Sequence, residues 1–197
     1  DGELVEASQS GPKGRMGLPK AKIVARLGDP TAPREIHKYI NTAIAKKPQA
    51  YNNLTLDGRY AYVAVDYCGL EVVDIADPLA IRQIGWWNPW ACETLANLWL
   101  NSPGHTNQIG HDEALDLVYL SAGDSELQVV DVSDPARPRL AASFGRPEND
   151  RGVWGATLGG EAVYLAYIRA FIPFKSTWSG FKAVSRVGSS VARSDER

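Results

Sequence analysis

Two stretches of the chain repeat each other, and this repetition limits the possible folds more than any other feature. Residues 62–78 read YVAVDYCGLEVVDIADP, residues 119–135 read YLSAGDSELQVVDVSDP, and the two align without a gap. A degenerate copy lies at residues 23–33 (IVARLGDPTAP), and the first half of the unit returns at residues 158–167 (LGGEAVYLAY). The spacing lies in or just above the range of about 40–50 residues that is typical of four-stranded propeller blades. We therefore predict an array of such blades.

Each copy is predicted to form four short strands. Runs of β-branched and aromatic residues are separated by turn residues such as Asp-Gly and Asp-Pro. The predicted strands are 53–56, 60–65, 69–75 and 81–86 in the first full copy, 109–110, 117–122, 127–132 and 139–144 in the second, and 154–158, 163–168 and 181–187 in the third. Helix is scarce, with a turn or two predicted at 41–47, so the fold class is all-β.

The repeats also predict how the chain is divided. We expect an N-terminal extension at 1–19, blades over 20–187 and a polar tail at 188–197. Within the blade region the predicted units are a partial blade at 20–50, blades at 51–88 and 105–146, and an incomplete blade at 152–187.

The strands GLEVVDIADP and ELQVVDVSDP, with the flanking YVAV and YLSAG, resemble the LVIVD-repeat proteins. The resemblance covers most of residues 20–187 and is strongest at 54–85 and 115–140. Arg26 and Ser185 depart from it, because the repeat has Asp at those strand positions. The resemblance implies a β-propeller-like array of antiparallel blades and a periplasmic, secreted or cell-surface location. It implies no activity, since the family has none in common.

The number of blades is small for a propeller. About three blades are visible, whereas closed rings usually have four to eight. An open array would expose unpaired strand edges, which natural proteins avoid. We therefore expect either a fragment of a longer ring or a ring completed by another chain. The chain begins at Asp1 rather than Met, which indicates a processed or truncated product and leaves a removed signal peptide open.

Composition excludes several functions. The formal net charge is −2 and no basic tract is present, so no nucleic-acid partner is predicted. No apolar run approaches the roughly 18–20 residues that span a bilayer, so the chain is not predicted to be transmembrane, although peripheral association with a surface stays open. Nucleophile-elbow, Walker and dinucleotide motifs are missing, so neither a catalytic residue nor a cofactor is predicted.

The two longest connections, 88–107 and 169–180, are predicted to emerge on one face of the array. Long loops clustered on one rim are the usual location of binding sites. Aromatic side chains there offer rigid contact surfaces for a protein or a sugar, although filling the space between blades is the alternative role for each Trp. The predicted binding residues are Trp87, Trp90, Trp99, His105, Asn107 and Trp178.

The two cysteines, Cys68 and Cys92, fall in loops of this same predicted face. A disulfide between them would agree with a surface or periplasmic setting, and two separate buried thiols are the alternative. His105 and His111 match no familiar zinc spacing, so no metal site is predicted. His105 with Cys92 is the local pair on which a metal enzyme would be built.

These observations predict a non-catalytic module that binds a protein partner, or other copies of the chain, through the long-loop face. It would act within a larger surface or periplasmic assembly. Two alternatives stay open: a copper- or zinc-dependent enzyme such as an oxidoreductase, and a carbohydrate-binding module. Enzymatic activity is left undecided.

Overall fold

The structure is a computed structural model that describes residues 35–172 and 174–186. The chain divides into two units, residues 1–38 and 39–197, and every element below belongs to the second. Its described part contains eleven strands and one four-residue helix. The predicted all-β fold class is confirmed.

The strands form three antiparallel sheets, each of which follows the order of the chain. Sheet 1 contains β1 (Tyr51–Asp57), β2 (Tyr60–Val65), β3 (Leu70–Asp74) and β4 (Arg82–Trp87). Sheet 2 contains β5 (Ile109–Asp112), β6 (Leu117–Ser121), β7 (Leu127–Asp131) and β8 (Arg139–Phe144). Sheet 3 contains β9 (Gly152–Gly159), β10 (Ala162–Ile168) and β11 (Gly180–Ser185), and no described strand pairs with the free edge of β11. The helix α1 (Leu98–Asn101) lies between β4 and β5.

The predicted strands all exist, but several boundaries differ. The bounds of β2 and β8 are those predicted, whereas β1 begins at Tyr51 rather than Asn53, with an irregularity in its register at that point. The first strand of each sheet was predicted too short. In β1 and β5 the reason is that no residue is buried, so the strands lack a clear hydrophobic alternation.

The predicted partial blade at 20–50 stays a prediction, because residues 23–33, which carry the repeat copy, lie outside the described residues. Residues 35–50 contain no strand, and residues 20–34 lie outside the described residues, as do the predicted extension 1–19 and tail 188–197. The segment 41–47 was predicted as a turn or two of helix and forms turns without a helix, and Asn41 Oδ1 accepts a hydrogen bond from the N–H of Ala43 (3.0 Å). Ile44 in this segment is fully buried, so its apolar side chain covers sheet 1 instead of belonging to a further sheet.

The sheets pack face to face through two apolar clusters. Tyr62, Leu70 and Val72 of sheet 1 meet Val118 and Val130 of sheet 2 in the first cluster. The second cluster joins the opposite face of sheet 2 to sheet 3. The first strands are also neighbours, since β1 contacts β5 and β5 contacts β9. The described residues therefore form a partial, propeller-like array of blades rather than a closed barrel.

The other face of sheet 1 is covered by the chain itself. Ile44, Cys92 and Leu98 pack there against Val63 and other residues of the sheet. This cover closes sheet 1 on the side that faces away from sheet 2.

A buried carboxylate lies under the same cover. Glu71 is fully buried and accepts hydrogen bonds from Tyr39 Oη (2.7 Å) and Asn41 Nδ2 (2.9 Å). Burial raises the pKa of the Glu71 carboxyl, and the donated hydrogen bonds oppose that rise.

The repeated aspartates at the ends of β3 and β7 stabilise turns. Asp74 accepts hydrogen bonds from Arg59 (2.6 Å), from Arg82 (3.0 Å) and from the N–H of Ala76 in the following turn (3.1 Å). The bond from Arg59 contributes most to lowering the pKa of Asp74 to about 2. Asp131 accepts from Ser133 and Arg139, which lower the pKa of Asp131 to about 2. Both carboxylates act within their own sheet.

Candidate functional site

The two long connections lie at one end of the sheets, here called the long-loop face. In an antiparallel meander alternate connections lie at the same end, so the β2–β3, β4–β5, β6–β7, β8–β9 and β10–β11 connections share this face. The longest of these are residues 88–108 and residues 169–179. The first is not a uniform loop, because it contains a 3₁₀ turn (Cys92–Thr94) and α1.

A disulfide fastens the first long loop to sheet 1. Cys68, in the turn after β2, is bonded to Cys92, with their Cα atoms 5.3 Å apart and both residues fully buried. Trp86 Nε1 donates a hydrogen bond to the carbonyl oxygen of Cys68 (2.8 Å). The loop is therefore tied down near its beginning.

His105 fastens the other end of that loop. It is 6% exposed, and its Nε2 lies 2.6 Å from Oδ1 of Asp66 in the β2–β3 turn. Three aromatic rings surround the imidazole: Tyr67 at 4.9 Å, Trp154 stacked at 5.5 Å and Phe174 at 5.6 Å between ring centroids. These rings come from sheet 1, from β9 and from the second long loop. His105 therefore joins elements from both ends of the array and both long loops.

The backbone beside His105 links two sheets. The N–H groups of His105 and Asn107 donate to carbonyl oxygens of residues at and just after the end of β6, at 3.3 and 3.1 Å. Between them, the N–H and the hydroxyl of Thr106 donate to the carbonyl oxygen of Asp66 in the β2–β3 turn of sheet 1, at 2.6 and 2.8 Å. Asn107 is buried, and its Nδ2 has no hydrogen-bond partner among the described residues.

The electrostatics of this cluster follow from burial. Burial raises the pKa of Asp124 to about 6, and the nearby His105 opposes that rise. Burial also raises the pKa of Tyr67, with a further contribution from the charges of Asp66 and Asp124. Acidic groups on either side of His105 therefore make this a polar centre within an aromatic shell.

Two of the predicted binding residues are occupied with packing. Trp87 is 7% exposed and lies in the cluster between sheets 1 and 2. Trp90 packs edge-on against it at 6.0 Å, and a Cβ on Gly104 would lie only 1.9 Å from the Trp90 ring. Trp87 is therefore not presented to a partner, because its place at the end of β4 directs it between the sheets.

Trp178 belongs to a partly buried ion-pair site between sheets 2 and 3. The Lys182 Nζ lies 3.4 Å from Oε2 of Glu126, which is itself 1% exposed. The same Nζ lies over the rings of Tyr167 (4.6 Å), Phe144 (5.5 Å) and Trp178 (5.7 Å). Tyr167 Oη also donates to Glu126, at 2.5 Å. Sequence reasoning missed Glu126, because it lies in a turn and has no counterpart in the first copy.

The most exposed apolar residues of this face lie at the tips of the two long loops. Trp99 and Leu100 of α1 are 52% and 81% exposed, and Phe171 and Ile172 of the second loop are 79% and 72% exposed. We call these four the rim residues. Trp99 contacts Tyr67 at 6.3 Å, and the second loop places Phe174 on His105. Both exposed tips are therefore anchored on the same aromatic shell.

Of the rim residues, only Trp99 was singled out from the sequence. Phe171 and Ile172 could have been identified from the length of the β10–β11 insertion and its RAFIPF run. Leu100 differs from buried Leu98 only in its position on α1, which periodicity over four residues does not specify.

The pair proposed for a metal enzyme is not available as ligands. The sulfur of Cys92 is bonded to Cys68, and His105 faces Asp66. His111 lies in β5 against the ring of Tyr62, at 4.8 Å. Within the described residues no group of three His, Cys, Asp or Glu side chains could hold a metal ion. No helix in this part of the chain has the length and apolar character needed to cross a membrane.

Comparison with known proteins identifies the repeat. The family model described as the LVIVD repeat matches residues 51–83 and 116–145. The first match runs from β1 into β4, and the second covers β6, β7 and β8. No curated protein and no solved structure matches the chain. The chain thus contains two LVIVD repeats, and the resemblance predicted from its sequence is confirmed over those segments.

Proposed function

We propose that the chain is a non-catalytic binding module that recognises a protein partner through its long-loop face. The observation that favours this function is the exposure of four large apolar side chains on two loops with a common buried anchor. Solvent-exposed apolar side chains grouped in this way are characteristic of interaction sites.

The base of the proposed site is rigid, which favours binding over a purely protective role for the loops. The disulfide holds the first loop near Cys92, and the Asp66–His105 contact holds its end. An ordered base reduces the conformational entropy that binding must remove from the loops.

The chemistry of the loops indicates the character of the partner. Glu93 is the one charged residue between 88 and 108, and Arg169 and Lys175 are those between 169 and 179. Lys175 is paired with Asp150 at 2.8 Å. A partner with an apolar contact surface therefore suits this face better than a strongly charged one.

The proposed location is the periplasm, the cell surface or the extracellular space. LVIVD repeats are generally found in surface or secreted proteins, and a disulfide persists in an oxidising compartment. In that setting the module would serve as a subunit of a larger assembly.

The test is capture of a partner from the envelope and secreted fractions of the source organism, followed by affinity measurement with the purified partner. Trp99→Ala and Phe171→Ala should each weaken binding by roughly 30-fold, the effect of about 2 kcal/mol at an interface hot spot. Leu115→Ala is the matched control, because Leu115 is similarly exposed but lies in the β5–β6 turn at the opposite end. Unchanged affinity in both folded loop variants would show that another surface binds.

Carbohydrate binding is the second candidate, and the exposed ring of Trp99 favours it. A flat aromatic ring at a loop tip can stack on a sugar. Binding to a glycan array that is lost in Trp99→Ala, together with the absence of a captured protein, would replace the protein partner with a carbohydrate.

A further inference from the structure

The outer face of sheet 3 repeats a surface that the other two sheets bury. Strand pairing places Tyr62, Tyr119 and Tyr164 at equivalent positions. Each lies in the second strand of its sheet and is paired with the third strand, at Val72, Val129 and Ala183 respectively. Tyr62 and Tyr119 are 2% and 1% exposed, because the neighbouring sheet covers them. Tyr164 is 45% exposed.

The adjacent position shows the same contrast. Leu70, Leu127 and Phe181 are also equivalent by register. Each lies in the third strand of its sheet, opposite the residue that follows the tyrosine by two positions. Leu70 and Leu127 are buried at 0% and 3%, whereas Phe181 is 73% exposed. The face therefore has the residues of a contact between blades, while within the described chain no blade covers it.

This face is also uncharged. Strand register places nine residues on its central part, and we call them the sheet-3 outer face: Gly155, Thr157, Gly159, Ala162, Tyr164, Ala166, Phe181, Ala183 and Ser185. Charged residues make up 22% of the whole chain. An uncharged face with two large rings among small residues is complementary to a second copy of itself, since no like charges meet and the rings can lie over the small residues of the other copy.

The opposite end of the array does not offer a partner for this face. The corresponding side of sheet 1 is covered by Ile44, Cys92 and Leu98, which the disulfide and the packing hold in place. A head-to-tail ring of copies would require this cover to be removed. An isologous contact, in which the same face of both copies meets about a two-fold axis, leaves the cover intact and stops at two copies.

We propose that two copies of this chain associate through their sheet-3 outer faces. Three strands about 4.8 Å apart, with about 3.3 Å per residue, give this face a footprint on the order of 300 Å². A standard stable interface buries about 800 Å² on each partner. The dimer is therefore reversible, and its population rises with concentration.

The first test is analytical ultracentrifugation over a range of concentrations. The wild-type mass should rise from 21.5 kDa toward twice that value. Phe181→Glu and Tyr164→Glu should keep the chain mass throughout, whereas Leu115→Glu, on a different surface, should follow the wild type. A wild type that stays at the chain mass at its highest soluble concentration, or a Phe181→Glu variant that dimerises normally, would overturn the proposal.

A second test gives a positive signal and does not depend on a disruptive substitution. The two cysteines of the chain are bonded to each other, so Ala166→Cys introduces a single free thiol on this face, opposite Phe181 in the strand register. A flexible bismaleimide should link two Ala166→Cys copies and should not link Leu115→Cys copies. If the thiol reacts with a simple maleimide but never links, the face is accessible and two copies do not meet on it. If the thiol does not react at all, the chain itself covers it. Either result refutes the dimer.

Discussion

Replacing both cysteines of the Cys68–Cys92 bridge with alanine should reduce the stability of the chain by a predictable amount. The two residues are 24 positions apart in sequence, so the bridge closes a loop of that length in the unfolded state. The chain-entropy relation gives an entropy of about −12 cal/mol/K for such a loop, or about 3.4 kcal/mol at 25 °C. Alanine is the proper replacement, because serine would place a hydroxyl in a fully buried site.

The loss is measured by urea unfolding followed by tryptophan fluorescence. With a slope of about 2 kcal/mol/M, the midpoint should fall by about 1.7 M urea. The single variants Cys68→Ala and Cys92→Ala should lose nearly as much as the double variant, because either one removes the bridge. Amide hydrogen exchange should rise first in residues 88–104, which the bridge holds on sheet 1.

Two results would refute this reasoning. If the double variant unfolds within about 1 kcal/mol of the wild type, the bridge does not restrict the unfolded chain as the relation assumes. If the midpoint falls but exchange in residues 88–104 does not change, the bridge stabilises the protein without holding the loop.

Three further predictions use other parts of the structure. Trp87→Ala should lower the free energy of unfolding in urea by about 3–5 kcal/mol, because Trp87 fills the space between sheets 1 and 2. Trp99→Ala should change that free energy by no more than about 0.5 kcal/mol, and equal losses in the two variants would contradict the assigned positions. The folded-state pKa of Asp131 is lowered to about 2 from an unfolded value of about 3.9, so its contribution to stability is present above about pH 4 and is lost as the pH falls toward 2. Asp131→Asn should flatten this part of the curve of stability against pH, and an unchanged slope would contradict this contribution. Lys182→Met leaves buried Glu126 without its cationic partner and should lower the free energy of unfolding by about 1–3 kcal/mol, whereas Lys182→Arg should lower it less. A methionine variant as stable as the wild type would show that the ion pair makes no net contribution to stability.

The strands could be predicted where both hydrophobic alternation and turn residues were present. Tyr60–Val65 and Arg139–Phe144 were predicted with the observed bounds, since Asp-Gly or Asp-Pro turns flank them. The extent of β1 was not predictable from alternation, because most of its side chains are exposed. The covering role of residues 39–49 depends on tertiary contacts of Ile44, which no local pattern indicates.

The candidate site was predictable in location but not in detail. The lengths of the two connections indicated the long-loop face, yet they did not separate Trp87, which ends a strand and is buried, from Trp99, which lies on a short helix and is exposed. The residues that surround His105 could not be predicted, because they come from sheets 1 and 3. The local sequence GHTN at residues 104–107 carries no information about how those sheets approach it.

The alternating hydrogen bonds of residues 105–107 have a consequence for folding. Thr106 can keep its bonds to sheet 1 only while its two neighbours keep theirs beside β6, so loss of order in either sheet removes bonds from the other. The three sheets should therefore melt in one cooperative transition, and a single repeat cut out at its sequence boundaries should not fold alone. The repeat is a unit of sequence and of strand pairing, whereas the unit of folding spans at least two repeats and the segment between them.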